Sequence, residues 1–151
     1  MSWVLIRTDA RKEAYVARRI ERLGLSAWVP AQIIASRPQI ARRLTSKAHL
    51  TSIKEIPILP RRVFALAPAW DIPEMAFIRH YAGIERTIEG RFVYISDEQV
   101  IAFRAAIEQE NTATLALASR PNQKQKAKWR SLKEGLLEAI EAAKTQMEIA
   151  A

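Results

Sequence analysis

The amino-acid sequence predicts an α+β fold: an antiparallel sheet flanked by helices, with one further amphipathic helix at the end of the chain. Three observations predict it. Short apolar segments with strand-like alternation recur through the first two thirds of the chain, segments with helical spacing interrupt them, and a long heptad-like pattern comes last. Strands and helices in such an irregular order are typical of antiparallel sheets with helices packed on them.

The first 35 residues predict a strand, a helix and a second strand. Residues 3–8 are apolar and β-branched, as buried strands are. Asp9 is a suitable N-cap for a helix that runs to about residue 23 and is ended by Gly24. Residues 27–35 predict the second extended segment. The core-facing residues of the helix, spaced by four and three, are Val16, Ile20 and Leu23.

The middle of the chain predicts a long loop, two strands and a second helix. Residues 36–49 show no periodicity, and we interpret them as a long hairpin loop. Residues 53–58 and 62–66 predict strands, because both are rich in apolar side chains and Pro60 lies between them. The second helix is predicted to start at Asp71 as its cap and to end between residues 80 and 83.

The last third predicts a small hairpin and two helices. Residues 84–88 and 91–95 predict short strands, and Ser96 begins a capping box for a helix that completes a domain of residues 1–110. Residues 111–123 are polar and predict a linker. Residues 124–148 predict an amphipathic helix. Its apolar seam consists of Trp129, Leu132, Leu136, Ile140, Ala143 and Met147.

Charge and composition narrow the function classes. The net charge is +8, with seven cations against Glu55 alone between residues 36 and 62. This excess fits a nearby nucleic acid, and equally a solvated loop that only maintains solubility. There is no cysteine, no apolar run of transmembrane length and no basic leader, so we expect a cytoplasmic protein without a membrane anchor.

No residue pattern indicates catalysis, a metal or a cofactor. His49 and His80 have no neighbours at ligand spacing, and the four glycines are isolated rather than gathered in a phosphate loop. Asp97 and Glu98 are explained by helix capping rather than by acid–base chemistry. We therefore expect a binding protein and not an enzyme.

Several segments, in order, resemble the N-terminal domain of the NusG/RfaH family of transcription elongation factors. The opening Trp-Val-Leu-Ile at residues 3–6, the Trp-Val-Pro at 28–30 and the Ile-Ser-Asp-Glu-Gln-Val at 95–100 are similar to family motifs. Residues 57–65, Pro-Ile-Leu-Pro-Arg-Arg-Val-Phe-Ala, resemble the family's strand signature. The resemblance covers about 105 residues. It implies the α/β sandwich of that domain.

Two departures distinguish the chain from a general NusG factor. Arg61 and Arg62 stand where the family signature has Gly-Tyr. The family's carboxy-terminal KOW barrel has no recognisable counterpart, and the helix predicted at 124–148 stands in its place. We therefore do not carry over the barrel's partners, and expect a specialised paralogue.

The resemblance implies a transcription elongation or antitermination factor that binds bacterial RNA polymerase and modulates pausing or termination. An apolar patch rimmed by arginines would contact the β′ clamp helices, and the second helix would reach the β gate loop. The implied polymerase-binding residues are Leu5, Tyr15, Arg18, Arg19, Arg22, Leu59, Phe64, Asp71, Glu74 and Met75. DNA or RNA of the elongation complex would meet Arg37, Arg42, Arg43, Lys47, Arg61 and Arg62.

The sequence leaves two questions open. The alternative function is a small basic DNA- or RNA-binding regulatory protein that does not bind polymerase. The role of the helix at 124–148 is also open. It could mask the polymerase-binding patch, as the helical carboxy-terminal domain of RfaH does, or pack elsewhere on its own domain. It could instead pair with the same helix of a second copy in a dimer, or bind another protein.

Overall fold

The fold is α+β, as predicted, and the computed structural model describes residues 2–36, 52–66, 73–117 and 123–149. In chain order the strands are β1 (Ser2–Thr8), β2 (Ala27–Trp28), β3 (Ala31–Ser36), β4 (Ser52–Pro57), β5 (Arg62–Leu66), β6 (Tyr81–Ile84) and β7 (Tyr94–Ser96). The helices are α1 (Glu13–Arg22), α2 (Asp97–Leu117) and α3 (Gln123–Ile149), and a 3-10 helix spans Pro73–Phe77.

The main sheet is built around β1. Its strand order is β2-β5-β1-β6, and β7 also pairs with β1 beyond the end of β6. All pairings are antiparallel, with Leu5 of β1 opposite Phe64 of β5. Strands β3 and β4 form a separate two-stranded ribbon. Residues 37–51, which join them and include the predicted long loop, lie outside the described residues.

The alternation of side chains along β1 divides the core into two layers. Val4 and Ile6 point to the side covered by α1, where they pack with Val16 and Ile20. Leu5, on the opposite face, belongs to a cluster shared with α2 and α3. Successive strand residues point to opposite faces, so a sheet that is apolar on both sides needs a helical cover on each. The molecule therefore has three layers, with α1 on one side of the sheet and α2 with α3 on the other.

Helix α1 begins later than predicted. Asp9 was expected to cap it, but the helix starts at Glu13, and the Asp9 carboxylate instead lies 3.0 Å from the Nδ1 atom of His80. The reason is local: Arg11 has a φ of 64°, so the backbone cannot follow a right-handed helical path through it. The predicted end is confirmed, because Gly24 follows the helix with a φ of 88°.

The structure contains both the predicted hairpin and the predicted cap of α2. The chain reverses about Gly90, where the Thr87 amide donates to the Arg91 carbonyl at 2.7 Å, although the regular strands lie one to four residues from the predicted bounds. The Gln99 amide donates to the Ser96 hydroxyl at 3.2 Å, which confirms the predicted cap.

The predicted linker is wrong over its first seven residues, because α2 continues through Leu117. Asn111 explains the difference. Its side-chain amide accepts from the Ile33 amide at 2.8 Å and donates to the Ala31 carbonyl at 3.0 Å, so it bonds the edge of β3 as a neighbouring strand would. Tertiary bonds of this kind outweigh the low helix propensity of an Asn-Thr segment. Residues 118–122 lie outside the described residues.

The last predicted helix is confirmed as α3, and its seam faces the core. Four seam residues are buried: Trp129, Leu136, Ile140 and Ala143. Leu132 packs against them at partial exposure, and the side chain of Met147 lies outside the described part of the chain. Helix α3 is therefore part of the same packed structure as the sheet.

Candidate functional site

The residues predicted to form one polymerase-binding patch lie on opposite faces of the main sheet. Leu5, Leu59 and Phe64 belong to the core cluster on the α2–α3 side. Tyr15 packs on the α1 side, and Arg19 and Arg22 share a pocket with it. The expectation that the arginines rim the apolar patch is therefore wrong, because the sheet lies between them. The two groups form two distinct surfaces.

We call the first surface the covered face; it consists of Trp3, Leu5, Leu59 and Phe64. These side chains are almost fully buried, with Leu5 at 0% and Phe64 at 1% exposure. The cluster that buries them includes the α3 residues Trp129, Leu136, Ile140 and Ala143. Trp129 also lines a groove with Ile58, directly before Leu59 in the chain. Helix α3 thus packs on this face and not elsewhere on the domain.

A buried carboxylate ties α3 to the sheet. Glu85 follows β6, and its Oε1 atom lies 3.1 Å from the Nζ atom of Lys144 in α3. Its Oε2 atom lies 3.1 Å from the Nε atom of Arg62 in β5, although that contact lacks the alignment of a hydrogen bond. A carboxylate removed from water needs opposite charges close by, so the two cations stabilise Glu85 where it lies.

The Glu85 contacts change the interpretation of Arg62. The sequence predicted it as a nucleic-acid contact, but its guanidinium is two-thirds buried and paired within the fold. Sequence reasoning also missed Glu85 and Lys144. Glu85 itself was the available signal, because it is an acidic residue at an inward-facing position of a predicted strand. A carboxylate at such a position needs a buried partner of opposite charge. The sequence did not show which of the chain's 24 cations supplies it.

We call the second surface the arginine face. It consists of Tyr15, Arg18, Arg19, Arg22, Leu23, Glu74, Phe77, Ile78 and Arg79, which line a pocket of about 390 Å³ and an adjoining one of about 200 Å³. Helix α1 supplies the first four residues, Leu23 follows directly after it, and the 3-10 helix with the two residues after it supplies the rest. The helical spacing of Tyr15, Arg18 and Arg22 places them on one side of α1, as predicted.

Tyr15 is held at the centre of the arginine face. The Arg19 guanidinium lies 5.3 Å from its ring centroid, and the Arg19 Nε atom donates to its hydroxyl at 3.3 Å. The rings of Tyr15 and His80 pack nearly perpendicular to each other with centroids 5.6 Å apart, and the Asp9 carboxylate lies 3.0 Å from the His80 Nδ1 atom. These contacts fix one aromatic wall of the pocket.

The 3-10 helix contributes an exposed residue and a buried one. Phe77 is 88% exposed, and Glu74 is exposed beside it. Met75 was predicted as a polymerase contact, but it is 2% exposed and packs in the α1-side core, so its side chain anchors the 3-10 helix instead. Asp71 lies outside the described residues. Sequence reasoning missed Phe77 and Arg79, because two isolated residues in a short segment form no recognisable pattern.

Of the predicted nucleic-acid contacts, only Arg61 is described and exposed. Its φ is 65°, and its backbone amide donates to the Oε1 atom of the buried Glu13 at 2.8 Å. Together with Arg11 it borders a small cleft of about 220 Å³. The other predicted residues, Arg37, Arg42, Arg43 and Lys47, lie outside the described residues.

The described residues contain no group of three or more acidic or histidine side chains placed to hold a metal ion. None of the helices in the described ranges has the length and apolar character needed to cross a membrane. No protein-family model matches the chain, and no curated protein matches it.

Proposed function

We propose that this protein is a NusG-type transcription elongation or antitermination factor, without catalytic activity, that binds bacterial RNA polymerase in the cytoplasm through its covered face. The resemblance implies that the β′ clamp helices contact Leu5, Leu59 and Phe64. The observation that carries the proposal is the position of α3. The last helix of the chain packs on the same sheet face that carries these three residues.

In this proposal α3 and the polymerase compete for one apolar surface. While α3 is docked, Leu5 and Phe64 have no exposed area to offer a partner. The protein then exists in a closed form and a minor open form, and polymerase binds the open one. A partner that binds only the open form shifts the population toward it, and its apparent affinity falls in proportion to how rarely that form occurs.

Two of the remaining predicted contacts lie outside the covered face and have roles of their own in this proposal. Glu74, at the exposed start of the 3-10 helix, keeps the role toward the β gate loop that the resemblance implies for it. Arg61 is exposed at the turn between β4 and β5, where a phosphate of the elongation complex can reach it. Holding both sides of the polymerase cleft would favour its closed, processive state.

The test weakens the docking of α3 without touching the covered face. Lys144→Glu places a second carboxylate beside Glu85. Of the two cations that pair with Glu85 in the described part of the chain, it leaves only Arg62. Each loss of roughly 1.4 kcal/mol in docking free energy raises the open fraction about tenfold while α3 stays mostly docked. We therefore expect core polymerase to capture more Lys144→Glu than wild-type protein.

The matched control is Lys133→Glu. It makes the same charge change on α3, at an exposed residue without an ion-pair partner in the described part of the chain. We expect wild-type capture for this variant. Equal capture of all three proteins would contradict the competition, and no capture of any of them would contradict polymerase binding. Phe64→Asp is a poorer test, because a charge at a position with 1% exposure threatens the fold itself.

The alternative function, a small basic DNA- or RNA-binding protein, is favoured by the net charge of +8. Binding carried by phosphate contacts weakens steeply as salt rises, whereas apolar docking on polymerase tolerates salt. Titration of a free DNA duplex and of core polymerase at increasing salt separates the two functions. Salt-sensitive duplex binding without polymerase capture would support the alternative.

A further inference from the structure

The arginine face is a second interaction surface that does not depend on α3 or on the covered face. It lies on the outer side of α1, with the whole main sheet between it and Phe64. Clamp helices on the covered face would therefore not reach Tyr15 or the arginines, and Glu74 is the residue of this surface that the proposed function also assigns to polymerase. The residues of the arginine face are exposed or half-exposed while α3 is docked.

The charges on this surface are largely unpaired. Among the residues that the structure describes, Arg18, Arg19, Arg22 and Arg79 have no carboxylate partner, and Arg19 instead contacts the Tyr15 ring and hydroxyl. Among the described residues, Glu74 is the one acidic side chain that lines the larger pocket. Three arginines line this pocket and Arg18 lines the adjoining one, so an acidic partner gains from every carboxylate it brings.

Half of the residues that line the same pocket are apolar or aromatic. They are Tyr15, Leu23, Ile78 and Phe77, and Phe77 has most of its surface in water. A volume of about 390 Å³ holds one large side chain. An exposed aromatic side chain at a partly apolar pocket is typical of a docking site, because a partner that covers both removes apolar surface from water.

We propose that the arginine face binds an acidic segment of a partner protein, which inserts one aromatic or aliphatic side chain between Tyr15 and Phe77 and pairs its carboxylates with the surrounding arginines. The aliphatic lining favours a protein over a nucleic acid, because Leu23 and Ile78 suit an apolar side chain and offer nothing to a phosphate.

The experiment uses the full chain and a short fluorescent peptide with blocked ends, in which glutamates flank one tryptophan. We expect saturable binding that is lost when the tryptophan is replaced by alanine or the glutamates by glutamine. Arg22→Glu and Phe77→Ser should each weaken binding at least about tenfold, because one removes a charge pair and the other an apolar contact. Both residues are exposed, so the fold tolerates the changes.

The control variant is Arg130→Glu, which makes the same change in net charge at an exposed position of α3. It should bind the peptide as the wild type does. An equal loss in Arg130→Glu would show attraction by net charge alone and overturn the proposal. The absence of peptide binding would also overturn the proposal. Tighter binding of single-stranded polyuridine, with the same dependence on Arg22 and Phe77, would overturn it as well. Self-association abolished by Arg22→Glu would assign the surface to a second copy of the chain instead. Polymerase is absent throughout, so the result is independent of the proposed function.

Discussion

The two faces of the main sheet are both buried under helices, but the covers differ in kind. On one face, α1 follows β1 directly and seals the sheet with a short helix whose buried residues are Glu13, Val16, Ala17 and Ile20. On the other face, much of the cover comes from α3, the last element of the chain. Because α3 follows all seven described strands, its separation would leave the order of those strands intact. In the proposed competition with polymerase, the α1 side therefore stays closed and the α3 side is the one that opens.

The charged contacts repeat this difference. Glu13 is buried on the α1 side and bonds a backbone amide, that of Arg61, which fixes a turn within the sheet. Glu85 is buried on the other side and bonds the side chain of Lys144, which belongs to α3. In the proposed account the Glu13 contact persists in both forms, whereas the Lys144 contact exists only in the closed one. The ion pairs of Glu85 would then favour the closed form.

Matched core truncations are expected to have the largest effect on the free energy of unfolding, and they test directly whether the two faces differ. Ile20→Ala and Ile140→Ala remove the same atoms from positions with 0% and 2% exposure. Ile20→Ala should cost about 2–5 kcal/mol of unfolding free energy, and all slowly exchanging amides should exchange faster. For Ile140→Ala the loss is limited to the docking free energy of α3. Hydrogen exchange should then accelerate most in α3, while β1 and β5 stay the most protected. Equal acceleration throughout both variants would show that the faces are not different.

A smaller effect is expected where α2 supports the β3–β4 ribbon. Asn111→Ala removes the two bonds to the edge of β3 and leaves the Ile33 amide without its side-chain acceptor. Two hydrogen bonds of this kind contribute roughly 1–3 kcal/mol. The Ile33 amide should exchange faster in this variant while α3 stays docked. Thr112→Ala is the matched control, because its hydroxyl bonds only within α2, to the Glu108 carbonyl. Loss of α3 protection in Asn111→Ala would show that the ribbon and α3 open together.

The smallest effect is a pH dependence on the α1 side. Burial raises the pKa of Tyr81 above its ordinary value, and the nearby Arg86 partly offsets this. A tyrosine whose pKa is higher in the folded state is protonated more readily there. Its contribution to stability is therefore complete below the unfolded-state pKa and is lost as the pH rises through the folded-state pKa. Unfolding by urea at increasing alkaline pH should show a loss that Tyr81→Phe reduces. An identical pH profile in the two proteins would contradict this assignment.

Local signals in the sequence predicted much of the fold. Gly24 ends α1, Ser96 caps α2 and Gly90 turns the hairpin, and each acts through its own backbone geometry or nearest neighbours. The apolar seam of α3 was also predicted from the sequence, because its apolar residues recur at fixed spacing. Such features depend only on residues close together in the chain, so a single sequence contains them.

The features that the sequence did not predict depend on long-range contacts. The pattern showed that Leu5 faces inward and that Arg18 lies on the outer side of α1, but not that they lie on opposite sides of the sheet. The sequence pattern placed Asn111 in a linker, because its bonds to β3 are made with residues far away in the chain. It left Arg62 available for a phosphate, because nothing nearby in the sequence marks Glu85 as its partner. The partner is 78 residues away for Asn111 and 23 residues away for Arg62.

Hydrogen exchange of the full chain, alone and with saturating core polymerase, tests the central claim most directly. The account predicts that bound polymerase removes the protection of α3 amides while β1 and β5 remain protected, because the clamp helices replace α3 on the covered face. If polymerase binds and α3 keeps its full protection, the covered face is not the binding surface and the competition between α3 and polymerase is disproved.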